Sequence, residues 1–197
     1  LQFYMPGFWY RRNLRSPKDA PSFHSSDSWL VREDRLSAPL TGVYSEKEKH
    51  FVTVSRIDKF AEEALSTHRE GEIILSGKTS LGFTGFENQD GITALSFGFP
   101  YREAPKSYIR KLTLAPAVEA FQFLKKGETV LLTWEIQENK ADDYSDFICH
   151  AWEYSYDTYG PKPVETPNSI TDMKQVLSGF FISSFVEGHP LVYNSGI

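Results

Sequence analysis

The chain has 197 residues, of which 40% are hydrophobic and 15% aromatic, so it can close the core of one large domain or of one domain with an appendage. Its net charge of −5 and its scattered basic residues argue against nucleic acid as a partner. The single cysteine excludes an internal disulfide and a cysteine-based metal cluster, and leaves the compartment unknown. The longest apolar run reaches about half of the roughly 20 residues that cross a bilayer, so no membrane partner is expected.

The N-terminal quarter is predicted to form strands separated by one long loop. Residues 1–12 are aromatic-rich and contain Pro6-Gly7, which predicts a strand interrupted by a bulge or turn at the edge of a sheet. Residues 13–28 are polar and rich in serine and proline, which predicts a surface loop. Residues 29–36 read as a short strand or a turn. Two apolar segments around the charged turn at 45–49 predict a hairpin.

The middle of the chain is typical of an antiparallel β-sandwich. Residues 59–69 are compatible with a short helix or a solvated loop. Beyond them, short apolar segments bounded by turn residues predict strands at 72–76, 80–86, 92–99, 108–114, 118–124 and 128–136. No helical pattern of ten or more residues interrupts this region, which disfavours a parallel βαβ sheet and favours a sandwich or super-sandwich.

The last quarter changes to a helical period, so one or two C-terminal helices are predicted. The first follows helix-starting chemistry at 142–145 and stops at Gly160-Pro161, with strand as the alternative. A stiff linker at 161–167 leads to a second helix from Asp172, capped by Thr171 and ended by His189-Pro190. The predicted domains are a β-sandwich at 1–140 and a helical extension at 141–197. The apolar stripe predicted for the first helix comprises Phe147, Ile148, Ala151, Trp152 and Ser155.

Two clusters combine aromatic and polar side chains in the way that saccharide-binding surfaces do. In the first, Trp29 is followed by Arg32, Glu33, Asp34 and Arg35, where a ring could stack on a sugar and charged groups could bond its hydroxyls. The other interpretation of this cluster, and the slightly favoured one, is a salt-bridged strand end or turn on the surface. Glu33 and Asp34 are adjacent, so in a strand they would point to opposite faces and could not form an acid/base pair.

The second cluster lies on the first predicted helix. Trp152, Tyr156 and Tyr159 would share one helical face. That face could be a platform for sugar rings, or it could be the surface that docks the helix onto the sheet, and docking is the commoner use of such a face.

Other motifs give no support to catalysis or metal binding. Gly77-Lys78-Thr79 resembles the end of a phosphate-binding loop, but Glu72 stands where the leading glycine is required, so a hairpin turn is expected there. No two histidines have the i, i+4 spacing that aims two imidazoles at one metal. We therefore expect no metal site, no cofactor and no catalytic residue.

The order of features resembles the N-terminal β-super-sandwich domains that precede an (α/α) toroid in many glycoside hydrolases and polysaccharide lyases. The resemblance covers about residues 90–187 and depends on the late strand segment at 123–136, the aromatic helix around Trp152-x-Tyr-x-Tyr-Asp157 and the proline-rich exit. In those families the catalytic residues lie mostly on the toroid, so the resemblance implies a domain that is not catalytic by itself.

The resulting functional hypothesis is a non-catalytic β-sandwich domain of a carbohydrate-active enzyme. Its expected partners are a saccharide or a C-terminal helical catalytic domain, since the ends at Leu1 and Ile197 suggest a fragment. The alternatives are a stand-alone carbohydrate-binding module or lectin, and a structural interaction domain without a ligand.

Overall fold

The computed structural model describes residues 1–17, 19–58, 65–69, 72–75, 79–110, 113–163, 165 and 167–185. This part of the chain is mainly β, and its two α-helices come last. The helices are α1 Tyr144–Tyr159 and α2 Ile170–Ser183. The strands are β1 Gln2–Met5, β2 Trp9–Arg11, β3 Trp29–Arg32, β4 Leu40–Ser45, β5 His50–Arg56, β6 Leu65–Arg69, β7 Glu72–Leu75, β8 Phe83–Gln89, β9 Ile92–Gly98, β10 Arg102–Arg110, β11 Thr113–Gln122 and β12 Trp134–Lys140.

These strands form two sheets. One has five strands in the order β12-β5-β4-β1-β2, and every neighbouring pair in it is antiparallel. The other has seven strands in the order β6-β7-β11-β10-β3-β8-β9, with β7 and β11 as its one parallel pair among the described strands. The prediction of a mainly β, antiparallel sandwich with C-terminal helices is confirmed, and the N-terminal stretch indeed ends in the edge strand β2.

Aromatic side chains fill the space between the two sheets. Phe3, Met5 and Trp9 from the five-stranded sheet meet Trp29 and Phe86 from the other sheet, and all five are buried. The rings of Phe3 and Phe86 stack with centroids 4.0 Å apart. Burial of one such side chain contributes about 1.5–3 kcal/mol, so this cluster is a main source of the stability of the sandwich.

Helix α1 packs on the other face of the five-stranded sheet. Successive residues of a strand point to opposite faces, so Tyr4 lies beneath α1 while Phe3 and Met5 face the second sheet. The Phe147 ring lies 5.0 Å from that of Phe51, and a Cβ at Gly42 would sit 2.7 Å from the Phe147 ring. Glycine therefore allows the helix to approach the sheet closely.

The boundaries of α1 follow from its caps. The Asp143 carboxylate accepts hydrogen bonds from the backbone N–H groups of Ser145 and Asp146 at 2.7 and 2.9 Å, and these bonds hold the pKa of Asp143 below its usual value. Gly160, with φ of 49°, ends the helix in the left-handed conformation. The helix was predicted correctly, and the strand alternative is excluded.

The apolar stripe predicted for α1 needs one correction. Tyr144, Phe147, Ala151 and Ser155 are buried, but Trp152 is 43% exposed. Positions 144, 147, 151 and 155 follow the three- and four-residue steps of a helix face, and Trp152 falls beside that row. The row of α1 that docks on the sheet therefore consists of small and aromatic residues, and it leaves Trp152 open to solvent.

The chain divides into two compact units, Leu1–Gly160 and Pro161–Ile197. The first unit includes α1 because this helix packs on the sheet. In the second unit, α2 begins at the cap Ser169, which forms a capping box with Asp172, and not at the predicted cap Thr171. None of the residues of α2 is buried within the described structure. The predicted end at His189-Pro190 lies outside the described residues.

Other predictions differ from the structure in part, and the turn predicted at 77–79 lies mostly outside the described residues. Residues 65–69, expected as helix or loop, form β6 paired with β7, and 59–64 lie outside the described residues. The strand predicted at 128–136 begins only at Trp134, where pairing with β5 starts, and the side chain of Leu131 before it is 86% exposed. Of the turn Gly77-Lys78-Thr79, only Thr79 is described.

Candidate functional site

Trp29 of the first predicted cluster belongs to the core. Its side chain has no exposed surface, and its ring lies 6.2 Å from that of Trp9. The indole Nε1 donates hydrogen bonds to the carbonyls of Ser22 and Ser26 at 3.4 and 3.1 Å. The ring thus offers no free face on which a sugar could stack.

Glu33 of the same cluster is also inside the protein, in a buried network of charged and aromatic groups. Its Oε2 accepts from the Gly82 N–H at 2.9 Å and from Arg56 Nη1 at 3.0 Å, and its Oε1 accepts from Trp134 Nε1 at 2.9 Å. Burial raises the pKa of Glu33, although Arg56 and the hydrogen bonds act in the opposite direction. The carboxylate has no exposure to solvent, so it is closed to a ligand.

Arg56 links this network to the rest of the fold. Its guanidinium lies 4.9 Å from the Trp134 ring, and its Nη1 also donates to the Ser80 carbonyl at 3.0 Å. Tyr159, the last residue of α1, donates through its hydroxyl to the Arg56 carbonyl at 2.6 Å. Tyr159 is therefore an anchor of α1 and not part of an open platform, and burial raises its pKa.

The remaining members of the first cluster form ion pairs within the chain. Arg32 Nε lies 2.5 Å from Asp34 Oδ1, and its guanidinium lies 5.2 Å from the Tyr101 ring. Arg35 Nη2 donates to the buried Glu103 carboxylate at 3.2 Å. The 3-10 turn at Glu33–Arg35 thus sends Glu33 inward and Asp34 outward. The structure does not bring the five predicted residues to one surface.

Two members of the second predicted cluster, Trp152 and Tyr156, reach the surface. Trp152 is 43% and Tyr156 64% exposed, and they are one helical turn apart on α1. Together with Glu153 and Asp157 they line a shallow depression of about 400 Å³. We call these four residues the α1 platform. It combines two rings that can stack with two carboxylates that can accept hydrogen bonds from hydroxyls.

A polar groove adjoins the α1 platform. It has a volume of about 460 Å³, lies between α1 and β12, and shares Glu153 and Asp157 with the platform. Gln137 and Asn139 of β12 line its other side, and His150 stacks on Phe51 with ring centroids 5.8 Å apart. Sequence reasoning missed the groove because the two walls are joined only by the packing of α1 on the sheet.

The described residues contain no group of three or more His, Cys, Asp or Glu side chains placed to hold a metal ion. None of the described helices is long and apolar enough to cross a membrane.

The sequence matches no family model, and neither a curated protein nor a solved structure shows significant similarity to the chain. The resemblance to β-super-sandwich domains of carbohydrate-active enzymes therefore stays a prediction.

Proposed function

We propose that this chain is a non-catalytic β-sandwich domain of a carbohydrate-active protein and that it contacts saccharide through the α1 platform and the adjoining groove. The observation that carries the proposal is the placement of Trp152 and Tyr156. They are large, exposed and one turn apart, and they border a groove of polar side chains. Exposed aromatic rings next to hydrogen-bonding groups suit a ligand with apolar C–H faces and many hydroxyls.

The rigidity of the surface supports this role. Trp152 and Tyr156 stand on a helix that is capped at both ends and fixed to the sheet by Phe147 and Tyr159. A platform on a fixed helix loses little conformational freedom when a ligand binds, which favours recognition of weakly binding sugars.

The experiment is a titration of the protein with neutral oligosaccharides. Binding is monitored by tryptophan fluorescence, with acrylamide as a quencher. Trp9 and Trp29 are fully buried and Trp134 is half-buried, so quenching reports mainly on Trp152. Binding at the platform should shift the emission and protect Trp152 from acrylamide. A panel in which no oligosaccharide changes either signal would count against the proposal.

The same titration bears on the alternatives. A stand-alone lectin should bind as this chain with affinity of its own, whereas an accessory domain should gain affinity when its catalytic partner is present. A chain that binds no saccharide under either condition would instead fit a structural interaction domain.

A further inference from the structure

A second cleft, which shares no residue with the α1 platform, is lined by arginines. It follows β2 and has a volume of about 550 Å³. Arg11, Arg12 and Arg15 contribute to its wall, and all three are exposed. Gln2 and Asn13 contribute neutral polar side chains to the same wall. We call this site the arginine cleft.

The backbone of the arginine cleft is held in an uncommon conformation. Arg11 and Asn13 have φ of 56° and 48°, in the left-handed region that residues other than glycine seldom adopt. The Asn13 side chain stabilises it, since Oδ1 accepts from the Tyr10 N–H at 2.9 Å and Nδ2 donates to the carbonyls of Phe8 and Pro21, each at 3.1 Å. Such strained positions gather at ligand-binding segments.

Aromatic rings orient two of the guanidinium groups. The Arg11 group lies 5.1 Å from the centre of the Tyr144 ring, and the Arg12 group lies 4.4 Å from that of Phe23. Tyr144 is itself fixed, because its hydroxyl accepts from the Arg11 N–H at 2.8 Å and donates to the Phe3 carbonyl at 2.8 Å. Stacking holds the flat guanidinium in place and leaves its N–H edges available.

These arginines have no carboxylate partner among the described residues. Within the described part of the chain, no Asp or Glu oxygen lies within 4.0 Å of the guanidinium nitrogens of Arg11, Arg12 or Arg15. Asp143, which feels the charge of Arg11, is already occupied in capping α1. Three positive groups that pair with no carboxylate of the described structure, on a chain with a net charge of −5, form a local attraction for anions.

We propose that the arginine cleft binds a small organic anion through its oxyanion group, a carboxylate or a phosphate. Two N–H edges of a guanidinium match two oxygens of either group. The volume suits a small molecule and is too small for a folded partner. The proposal depends on the arginines and not on the α1 platform, so it goes beyond the saccharide function and can fail separately from it.

The test measures binding of succinate and of inorganic phosphate by NMR, through the side-chain Nε–H signals of the arginines, with glucose as the neutral probe. The test variant is Arg12→Gln/Arg15→Gln, and the matched control is Lys125→Gln/Lys126→Gln, which changes the net charge equally at an exposed pair elsewhere. Backbone amide spectra check that both variants are folded.

We expect succinate or phosphate to bind, glucose to leave the signals unchanged, and the test variant to lose at least about tenfold in affinity while the control loses much less. The anion that binds more tightly shows whether the cleft prefers a carboxylate or a phosphate. The proposal is overturned if neither anion shifts the arginine signals, or if both variants weaken binding equally, since the effect would then be one of net charge.

Discussion

The Arg56 guanidinium lies 3.0 Å from the Glu33 carboxylate in the interior of the sandwich, with both side chains at most 1% exposed. Glu33 follows β3 of the seven-stranded sheet and Arg56 ends β5 of the other, so this ion pair joins the two layers. Trp134 at the start of β12 bonds the same carboxylate. Glu33, which the sequence placed in a polar cluster after Trp29, is thus part of an ion pair inside the fold.

Removal of either partner of this pair should be destabilising. Arg56→Met should lower the free energy of unfolding by about 3–5 kcal/mol, because it leaves the buried Glu33 carboxylate without its cation. Glu33→Gln should cost less, because Arg56 Nε keeps its ion pair with Asp58 Oδ2 at 3.3 Å. The double variant should lose less than the sum of the two, because the two buried charges are then removed together. Urea unfolding measures all three. As a control, Asp34→Asn breaks the exposed pair with Arg32 and should cost at most about 1 kcal/mol. Strict additivity would show that the two groups do not interact.

Stability should fall at alkaline pH because of Tyr144. Burial raises the pKa of Tyr144 to about 12 from an ordinary value of 10.0. Between these values the unfolded chain loses the phenolic proton while the folded chain keeps it, so unfolding becomes easier as pH rises. The shift corresponds to a loss of ~3 kcal/mol across this range.

The variant Tyr144→Phe tests that pH dependence. It should be less stable than the wild type at pH 7, because the bonds to Arg11 and Phe3 are lost. It should lose less stability on going to pH 12, although Tyr4 and Tyr159, whose pKa values are also raised by burial, still contribute. Chemical denaturation at neutral and alkaline pH measures the difference. Identical pH slopes for the two proteins would contradict the assignment to Tyr144.

Gly82 should not tolerate a side chain. A Cβ there would collide with the Gly98 carbonyl oxygen and sit 2.9 Å from Glu33 Oε2. Gly82→Ala should therefore destabilise the sandwich by ~2 kcal/mol or more, as overpacking does when backbone must move. Gly179→Ala is the matched control, because nothing lies within 4 Å of a Cβ at that helical position. It should leave the thermal midpoint of the sandwich unchanged, and equal losses for the two variants would be inconsistent with the close approach.

Local patterns predicted much of the fold. The charged turn at 45–49 between apolar segments predicted the hairpin of β4 and β5, and the helix-starting residues before Phe147 predicted α1. Long-range pairing could not be predicted in the same way. The parallel pair of β7 and β11 and the pairing of β12 with β5 join segments far apart in the chain, and their register depends on the packing of both sheets.

The candidate site shows why residue type alone is a poor guide to exposure. Trp29 and Trp152 each have charged residues within three positions in the sequence, yet Trp29 fills the core and Trp152 lies on the surface. Trp29 is buried because a second sheet covers β3, and Trp152 is exposed because α1 uses a neighbouring row of residues for docking. Neither the burial of Trp29 nor the exposure of Trp152 can be predicted from the local sequence pattern. The partners of Glu33, at positions 56, 82 and 134, could not be predicted either, because they are far from Glu33 in the sequence.

The most direct test of the proposed function is a calorimetric titration of Trp152→Ala with the oligosaccharide that the wild type binds best. Phe123→Ala is the matched control, since Phe123 is 73% exposed and lies outside α1. We predict that Trp152→Ala loses at least about tenfold in affinity, with an unchanged melting temperature, while Phe123→Ala binds like the wild type. Binding that survives in Trp152→Ala, or that is lost equally in both variants, would contradict a saccharide-binding platform on α1.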